Sequence, residues 1–312
     1  MNNFKKIGLS ALAGSLVAFS VNAGEMSVTG SAGFSVTSTD ETTASAFGQN
    51  DSVTISGSGE TDGGLSITAS FELDGDDSMD DRSMSVGSDE MGTFTFSGHG
   101  GSSVMGSWDD VVPHAYEEPW ALTAEASDDV VGGVSGENLM RWDSPSISGA
   151  SVHVAYQDAA QTTTASTYAD FGIKISPEMV DGLELGYAEG SYDTSATLST
   201  DESTMYVKYT MGSVSVGYQT SEIDAGTAAT TDETVGMGIS YAVSDAFSVS
   251  YGSHTVDFGD GTTDQESTGF SASYTMGGMT IAGAINSTDN VGGSTTAAND
   301  KDSYELNLSF AF

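Results

Sequence analysis

The chain has 312 residues, with 45 acidic residues against 7 basic ones, 39 glycines and no cysteine. The formal charge of −38 argues against a nucleic-acid-binding function, because neutralising phosphates requires basic side chains. A sequence without cysteine excludes a disulfide framework, thiol catalysis and a thiolate metal site.

The first 23 residues have the pattern of a secretory signal peptide. Two lysines precede an apolar run over residues 7–19, and Val21-Asn22-Ala23 fits a cleavage site of the small-x-Ala type. An apolar run of about 13 residues is too short to span a bilayer as a helix. We therefore expect a signal peptide over 1–23, export from the cytoplasm, and one mature domain over 24–312.

Apolar and polar residues alternate along the rest of the chain, as between Leu65 and Leu73. A period of two is typical of β-strands with two different faces. Each segment has about 8–12 residues, the length with which a tilted strand crosses a membrane. Sixteen such segments start near residues 25, 51, 65, 82, 93, 137, 150, 168, 183, 203, 213, 233, 247, 267, 279 and 303.

Short and long connections alternate between these segments, which is typical of a barrel with tight turns at one end and loops at the other. Small polar residues would line a wet interior, while the apolar residues would face lipid. The predicted fold is therefore all-β, a transmembrane antiparallel up-and-down β-barrel of about 16 strands. Tyrosines near the strand ends are candidates for an aromatic girdle, namely Tyr156, Tyr187, Tyr218, Tyr251 and Tyr274.

Two stretches carry a resemblance to a known family. The last strand runs from Tyr304 to Phe312 with strict alternation, and Asn138 to Pro145 precedes Ile147-Ser148-Gly149. Together with the alternation and a signal peptide, these stretches resemble the Gram-negative general porins, over essentially the whole mature chain. The resemblance implies a homotrimer in the outer membrane, in contact with its lipid and lipopolysaccharide. It also implies that Tyr304, Phe310 and Phe312 belong to the signal read by the barrel-assembly machinery.

The longest connection, residues 99–136, is the predicted functional centre. It contains Trp108, Trp120 and two of the four prolines, and loops of this length are usually functional or disordered. In general porins the third long loop folds into the barrel and constricts it, so the resemblance implies the same here. The Pro-Glu-Phe-Gly type of loop motif is absent, which leaves open which acids reach the lumen. The candidate constriction acids are Asp109, Asp110, Glu117, Glu118, Asp128 and Asp129.

Porins carry basic side chains on the wall opposite this loop. By alternation with apolar neighbours, Arg141, Lys174 and Lys208 point inward. Arg82 has the parity of Met84 and points outward unless a bulge intervenes, although the resemblance favours a wall position. Three wall acids are predicted at Glu72, Glu184 and Glu305, and His153 also points inward by parity.

Carboxylate rings favour cations, and a focused negative potential concentrates them. The sequence therefore predicts a cation-preferring channel for passive diffusion of ions and small hydrophilic solutes, without enzyme activity, cofactor or nucleic-acid partner. The alternative is a secreted or surface acidic Ca²⁺-binding β-protein, or adhesin, without channel activity. The acidic stretches 74–81 and 257–264 could hold Ca²⁺, but neither has a complete EF-hand spacing. An esterase would need Ser, His and an acid that converge, and no G-x-S-x-G motif is present.

Overall fold

A computed structural model of the chain describes residues 24–39, 45–75, 78–120, 131–136, 138–158, 167–195, 198–224, 226 and 231–312. In this part, sixteen antiparallel strands form a closed barrel in which sequence neighbours pair and the first strand pairs with the last. The strands are β1 (Glu25–Thr39), β2 (Ala46–Glu60), β3 (Ser66–Asp74), β4 (Ser78–Ser88), β5 (Gly92–His99), β6 (Leu139–Asp143), β7 (Ala150–Gln157), β8 (Thr167–Ile175), β9 (Leu183–Ser195), β10 (Leu198–Met211), β11 (Val214–Asp224), β12 (Thr231–Ser244), β13 (Phe247–Asp257), β14 (Gln265–Met276), β15 (Met279–Asp289) and β16 (Lys301–Ala311). The predicted fold class is confirmed, whereas the predicted signal peptide, 1–23, lies outside the described residues.

Several strands begin earlier than the apolar alternation predicts. β2 starts at Ala46 rather than near 51, and β10 starts at Leu198 rather than near 203. At these ends polar residues continue the ladder, as where Gln49 and Asn50 pair with Phe34 and Gly33 of β1. Backbone pairing does not require an apolar outer face, so strands continue past the part that the pattern marks.

The seven connections predicted to be short all lie at one end of the barrel, where each joins an even-numbered strand to the next odd-numbered one. The prediction of long connections at the other end holds only in part, because strands extend into the predicted loops: residues 75–77 alone separate β3 from β4, and residues 196–197 alone separate β9 from β10. The turns before β7 and β9 contain Gly149 and Gly182, whose φ angles of 82° and 81° favour glycine because other side chains are strained there. Among the described residues, no helix has the length and hydropathy needed to cross a membrane.

The end of the chain closes the barrel. Ser31 of β1 pairs with Ala311 of β16, and beyond that pair the Gly30 and Phe312 backbones exchange hydrogen bonds of 2.8 and 2.9 Å. A Cβ atom at Gly30 would lie 2.7 Å from the Phe312 ring, so glycine leaves room for this terminal aromatic. Tyr304, Phe310 and Phe312 are all half-exposed on the outer face. Their reading by an assembly machinery stays a prediction.

The outer face is apolar, the reverse of a water-soluble protein. Large apolar side chains such as Phe171, Ile173 and Ile285 are exposed, and so are all five predicted girdle tyrosines. A continuous exposed apolar band is stable only against another apolar phase. Most of the buried apolar residues among those described form one cluster between the inner wall and the loop after β5, which includes Val104, Met105, Trp108 and Tyr206. This apolar cluster therefore packs that loop against the wall.

Candidate functional site

The loop after β5 enters the barrel and follows its inner wall. Gly101–Ser102 pairs with Ser135–Gly136 at the loop's base, and a 3-10 turn at Met105–Ser107 begins the irregular part. We call residues 103–120 the inner segment. Its contacts run along the wall from β6 to β15, so this stretch narrows the lumen.

Trp108 anchors the start of the inner segment. Its side chain is buried, and its ring meets those of His153 and Tyr206 edge-on, with centroids 5.5 Å away in both cases. The backbone N–H of Met105 donates a 2.8 Å hydrogen bond to Asp170 Oδ2 on β8. Apolar and polar contacts thus fix the same short turn against the wall.

Side-chain amides and hydroxyls hold the backbone of the inner segment. On β11, Gln219 Oε1 accepts from Val111 N at 2.9 Å, while Nε2 donates to the carbonyls of Trp108 and Asp109 at 2.6 and 3.0 Å. Further along the wall, Ser250 Oγ, Ser271 Oγ and Asn286 Nδ2 bond to the backbone of Ala115, Tyr116 and Glu118 at 2.8, 3.0 and 2.8 Å. An irregular segment needs such partners because its buried N–H and C=O groups have no ladder.

Inward glycines let the inner segment approach the wall closely. A Cβ at Gly217 would lie 2.5 Å from Pro113, and one at Gly269 would lie 2.7 Å from Pro119. Contacts this short do not occur for real Cβ atoms, so a larger residue would force the loop away from the wall. We call the set the glycine track, and it consists of Gly172, Gly217, Gly238, Gly252 and Gly269.

Arg141 ties the base of the loop to the wall. Its Nη1 donates to the carbonyls of Ser102 and Ser103 at 3.2 and 3.1 Å and to Ser107 Oγ at 2.8 Å, while Nε donates to Asp143 at 3.0 Å. The side chain does lie on the inner face, where alternation places it. Its charge, however, is matched by Asp143 and its donors are engaged by the loop.

The loop acids that the structure describes meet one wall acid. Asp109, Asp110, Glu117 and Glu118 all lie on the inner segment, and Glu305 of β16 interacts with Tyr116 and Glu117. Burial first, and then the carboxylates of Glu118 and Glu305, raise the pKa of Glu117 to about 7. This carboxyl therefore carries only part of a charge at neutral pH. The remaining two candidates, Asp128 and Asp129, lie outside the described residues.

Two of the predicted wall bases lie on β8 and β10, strands that the inner segment itself contacts. Lys174 and Lys208 lie near the tight-turn ends of β8 and β10. Lys208 Nζ is 3.2 Å from Glu184 Oε1, and that carboxylate also accepts from Tyr206 Oη at 3.2 Å. Glu72 of β3 pairs with Thr54 of β2 on the inward parity of the opposite half of the barrel. Of these predicted wall residues, Lys208 and Glu184 form an ion pair with each other, and Lys174 and Glu72 lie apart from it.

Arg82 is not part of the inner wall. It pairs directly with Phe71 of β3, whose ring is exposed on the outer face, and directly opposed residues share a face. Bulges lie on both sides of it. On β5 the extra residue is Gly98, whose carbonyl accepts from Arg82 Nη2 at 3.2 Å, and on β4 itself the register to β3 shifts between Met79 and Arg82. Alternation within β4 is unbroken from Arg82 to Met84, so the outward parity holds and the wall assignment suggested by the resemblance is wrong.

Two arrangements were missed by sequence reasoning. Asp110, His114 and Glu118 have ligand atoms within 4.8 Å of one another. Their four-residue spacing does not predict this proximity, because the loop is irregular and not a helix. On the wall, His153 lies between Ser151 and Asp143, at 2.9 and 2.5 Å. Ser151 and His153 share a face by alternation, but the role of Asp143 follows only from the β6–β7 register.

Comparison with known proteins agrees with this architecture. A family model described as Gram-negative porin matches residues 8–293. A porin structure refined at 1.8 Å resolution is 16% identical, with 92% of this chain and 100% of that chain covered and a TM-score of 0.70.

Two further solved structures have the same fold. An anion-selective porin from Comamonas acidovorans is 15% identical over 92% of this chain and 99% of its own, with a TM-score of 0.68. The trimer form of OmpT from Vibrio cholerae is 11% identical over 93% and 100%, with a TM-score of 0.70. A search of curated proteins finds none with significant sequence similarity. Identities this low establish the fold alone.

Proposed function

This chain belongs to the Gram-negative porin family, and from that premise we propose that it forms a water-filled outer-membrane channel that passes cations in preference to anions. The family alone does not give the sign of the selectivity, since one structure with this fold is an anion-selective porin. The sign is argued from the charges that line the constriction.

The observation that supports a cation preference is the imbalance of charge around the inner segment. Asp109, Glu117 and Glu118 lie on it, and Glu305 joins them from the wall. The two bases whose ion pairs the structure gives, Arg141 and Lys208, are matched by Asp143 and Glu184 at 3.0 and 3.2 Å. Carboxylates at a narrow point favour cations, and salt screens this effect, with a Debye length of about 3 Å at 1 M.

The assembly and the solutes are proposals of the same kind. The trimer form of a protein with this fold supports a homotrimer, and the hydroxyl-rich lumen supports passage of small hydrophilic solutes. We propose export through the periplasm, assembly through the Tyr304–Phe312 signal, and no cofactor. For Ca²⁺ in 257–264, the carboxylates of Asp257 and Asp260 already accept N–H groups of their own turns at 2.8 Å, which favours a turn over a binding loop.

We also propose that the chain is not an enzyme, although the side chains of Ser151, His153 and Asp143 are arranged in space as in a hydrolytic triad. A serine hydrolase needs donors aimed at the developing oxyanion. Ser151 pairs with Lys174 of β8, and on the other side the backbone groups of its neighbours Val152 and Ala150 are bonded to Ser144 and Ile147. Asp143 also forms an ion pair with Arg141. We expect no labelling of Ser151 by a fluorophosphonate probe. Labelling that disappears in His153→Ala would contradict the proposal.

The channel proposal is tested by the zero-current potential of single channels under a KCl gradient. We expect a cation-sided potential that falls strongly in the variant Asp109→Asn, Asp110→Asn, Glu117→Gln and Glu118→Gln. A matched control removes four acids at the loop-side mouth, Asp257→Asn, Asp260→Asn, Asp264→Asn and Asp289→Asn, and is expected to change the potential less. An anion-sided potential in the natural chain, or an equal effect of both variants, would overturn the assignment of selectivity to the inner segment. Folded protein that forms no channels would favour the adhesin alternative.

A further inference from the structure

The inner segment carries a cluster with the composition of a metal site. His114 Nδ1 lies 3.7 Å from Asp110 Oδ2, and its Nε2 lies 3.8 Å from Glu118 Oε1. One ligand atom from each of the three residues lies within 4.8 Å of the other two. The cluster stands apart from the ion pairs of the wall, and the channel function proposed above does not require its histidine.

The three groups lie beyond hydrogen-bond distance from one another but within reach of a single metal ion. Separations of 3.7 and 3.8 Å exceed hydrogen-bond length. Ligands at about 2.0–2.2 Å from a tetrahedral Zn²⁺ lie roughly 3.3–3.6 Å from one another. The two measured separations end on different nitrogens of the His114 ring, and a metal binds only one of them, so the bound that applies to one atom from each residue is 4.8 Å. A cation would therefore have to draw the three groups together by as much as roughly 1.2–1.5 Å.

The surroundings orient the three groups. His114 Nδ1 lies 3.1 Å from the carbonyl of Val112, and donation to that carbonyl leaves Nε2, which faces Glu118, as the electron-pair donor. Such a backbone partner is typical of metal-binding histidines. Asp110 Oδ1 accepts from Val112 N at 2.9 Å, and its Oδ2 lies on the Nδ1 side of the His114 ring, so it would have to turn toward Nε2 to share a metal with that nitrogen.

The wall fixes the backbone that carries the cluster. Ala115 N bonds to Ser250 and the carbonyl of Glu118 bonds to Asn286, both at 2.8 Å. Pro113 and Pro119 rest on the glycine track. The backbone that carries the three side chains is therefore held by contacts outside the cluster, which lowers the cost of ordering the ligands.

We propose that Asp110, His114 and Glu118 bind a divalent transition-metal cation such as Zn²⁺ at the constriction, and that the bound metal lowers the conductance. Imidazole with carboxylates suits Zn²⁺ and its first-row neighbours, whereas Ca²⁺ and Mg²⁺ prefer all-oxygen sites. Part of the group lies open, because the His114 side chain is 33% exposed and that of Glu118 is 28% exposed. Water would complete the coordination. The loss of conductance rests on the channel function, but the binding does not.

Binding is tested by titrating the folded, detergent-solubilised chain with ZnCl₂ in a calorimeter. We expect saturable binding of one Zn²⁺ per chain, weakened about tenfold or more in His114→Ala. The matched control is His99→Ala, which removes an imidazole 3.5 Å from the Asp81 carboxylate at the base of the loop and is expected to leave the affinity unchanged. Equal Zn²⁺ affinity in the natural chain and His114→Ala would overturn the site. Equal competition by CaCl₂ would also overturn it, because it would mean carboxylate binding alone.

The effect on the channel is tested separately in planar bilayers. Micromolar ZnCl₂ is expected to lower single-channel conductance in the natural chain and in His99→Ala, but not in His114→Ala. Glu118→Gln, which keeps the loop contacts, should weaken the effect as well. Zn²⁺ binding without a change in conductance would overturn the second half of the proposal. Zn²⁺ binding to a chain that forms no channels would support the site and contradict the channel function.

Discussion

The two halves of the inner wall differ although their strands follow the same alternation. On β8–β15, the covered half, inward residues are glycines, long polar side chains such as Gln219, and hydroxyls as deeply buried as Ser271, which is 1% exposed. On β1–β5, the bare half, they are mostly serines and threonines that bond to one another, as Ser56 does to Ser70 at 3.1 Å. Alternation thus decides which face a residue takes, and the kind of inward residue reports whether protein or water lies against it.

The largest effect is expected from removing the side-chain amide that holds the loop against the covered half. Gln219→Leu takes away partners from Val111 N and from the carbonyls of Trp108 and Asp109. Each buried group left without a partner costs about 1–3 kcal/mol. We expect rapid cleavage by chymotrypsin at Trp108 in folded protein, because the loop opens locally. Asn50→Leu, an amide change on the bare half, should leave the loop protected, and protection in both variants would contradict this.

A smaller effect is expected from filling the glycine track. In Gly269→Val the new Cβ would lie 2.7 Å from the Pro119 Cα, and overpacking of this kind costs about 1–3 kcal/mol. The inner segment should move toward the lumen and lower the single-channel conductance. The control is Gly57→Val, where nothing lies within 4 Å of the added Cβ. Unchanged conductance in Gly269→Val would mean that the glycine track does not set the position of the loop.

The smallest effect is expected from removing a single wall acid. Its size should depend on whether that acid lies near the inner segment or far from it. Glu305 interacts with Tyr116 and Glu117, whereas Glu72 lies on the bare half. Both Glu305→Gln and Glu72→Gln remove one charge, yet we expect Glu305→Gln to lower the cation-sided zero-current potential more, because Glu305 faces the acids of the inner segment. The measurement is the zero-current potential at about 0.1 M salt, where the Debye length is about 10 Å. Equal shifts would indicate that overall lumen charge determines selectivity.

Most of the fold could be predicted from the sequence, because the alternation of apolar and polar residues within a strand shows which face each residue takes. Strand number, turn side and the inward position of Arg141 follow from local patterns. The partners of Arg141 do not, since Ser102 and Ser107 are 39 and 34 residues away along the chain. The His114 cluster likewise depends on how an irregular segment is held by strands far along the chain. A local sequence pattern carries no information on the contacts between a loop and a wall that is formed by distant strands.

The position of the inner segment in the sequence has a consequence for the order in which the molecule folds. The inner segment is synthesised before the strands that hold it, because its partners Gln219, Ser250, Ser271 and Asn286 lie from β11 to β15. Its seat does not exist until those strands have paired, and pairing ends only when β16 meets β1. Contacts between such distant parts of a chain form slowly. The narrow point is therefore completed among the last parts of the molecule, after the wall that surrounds it.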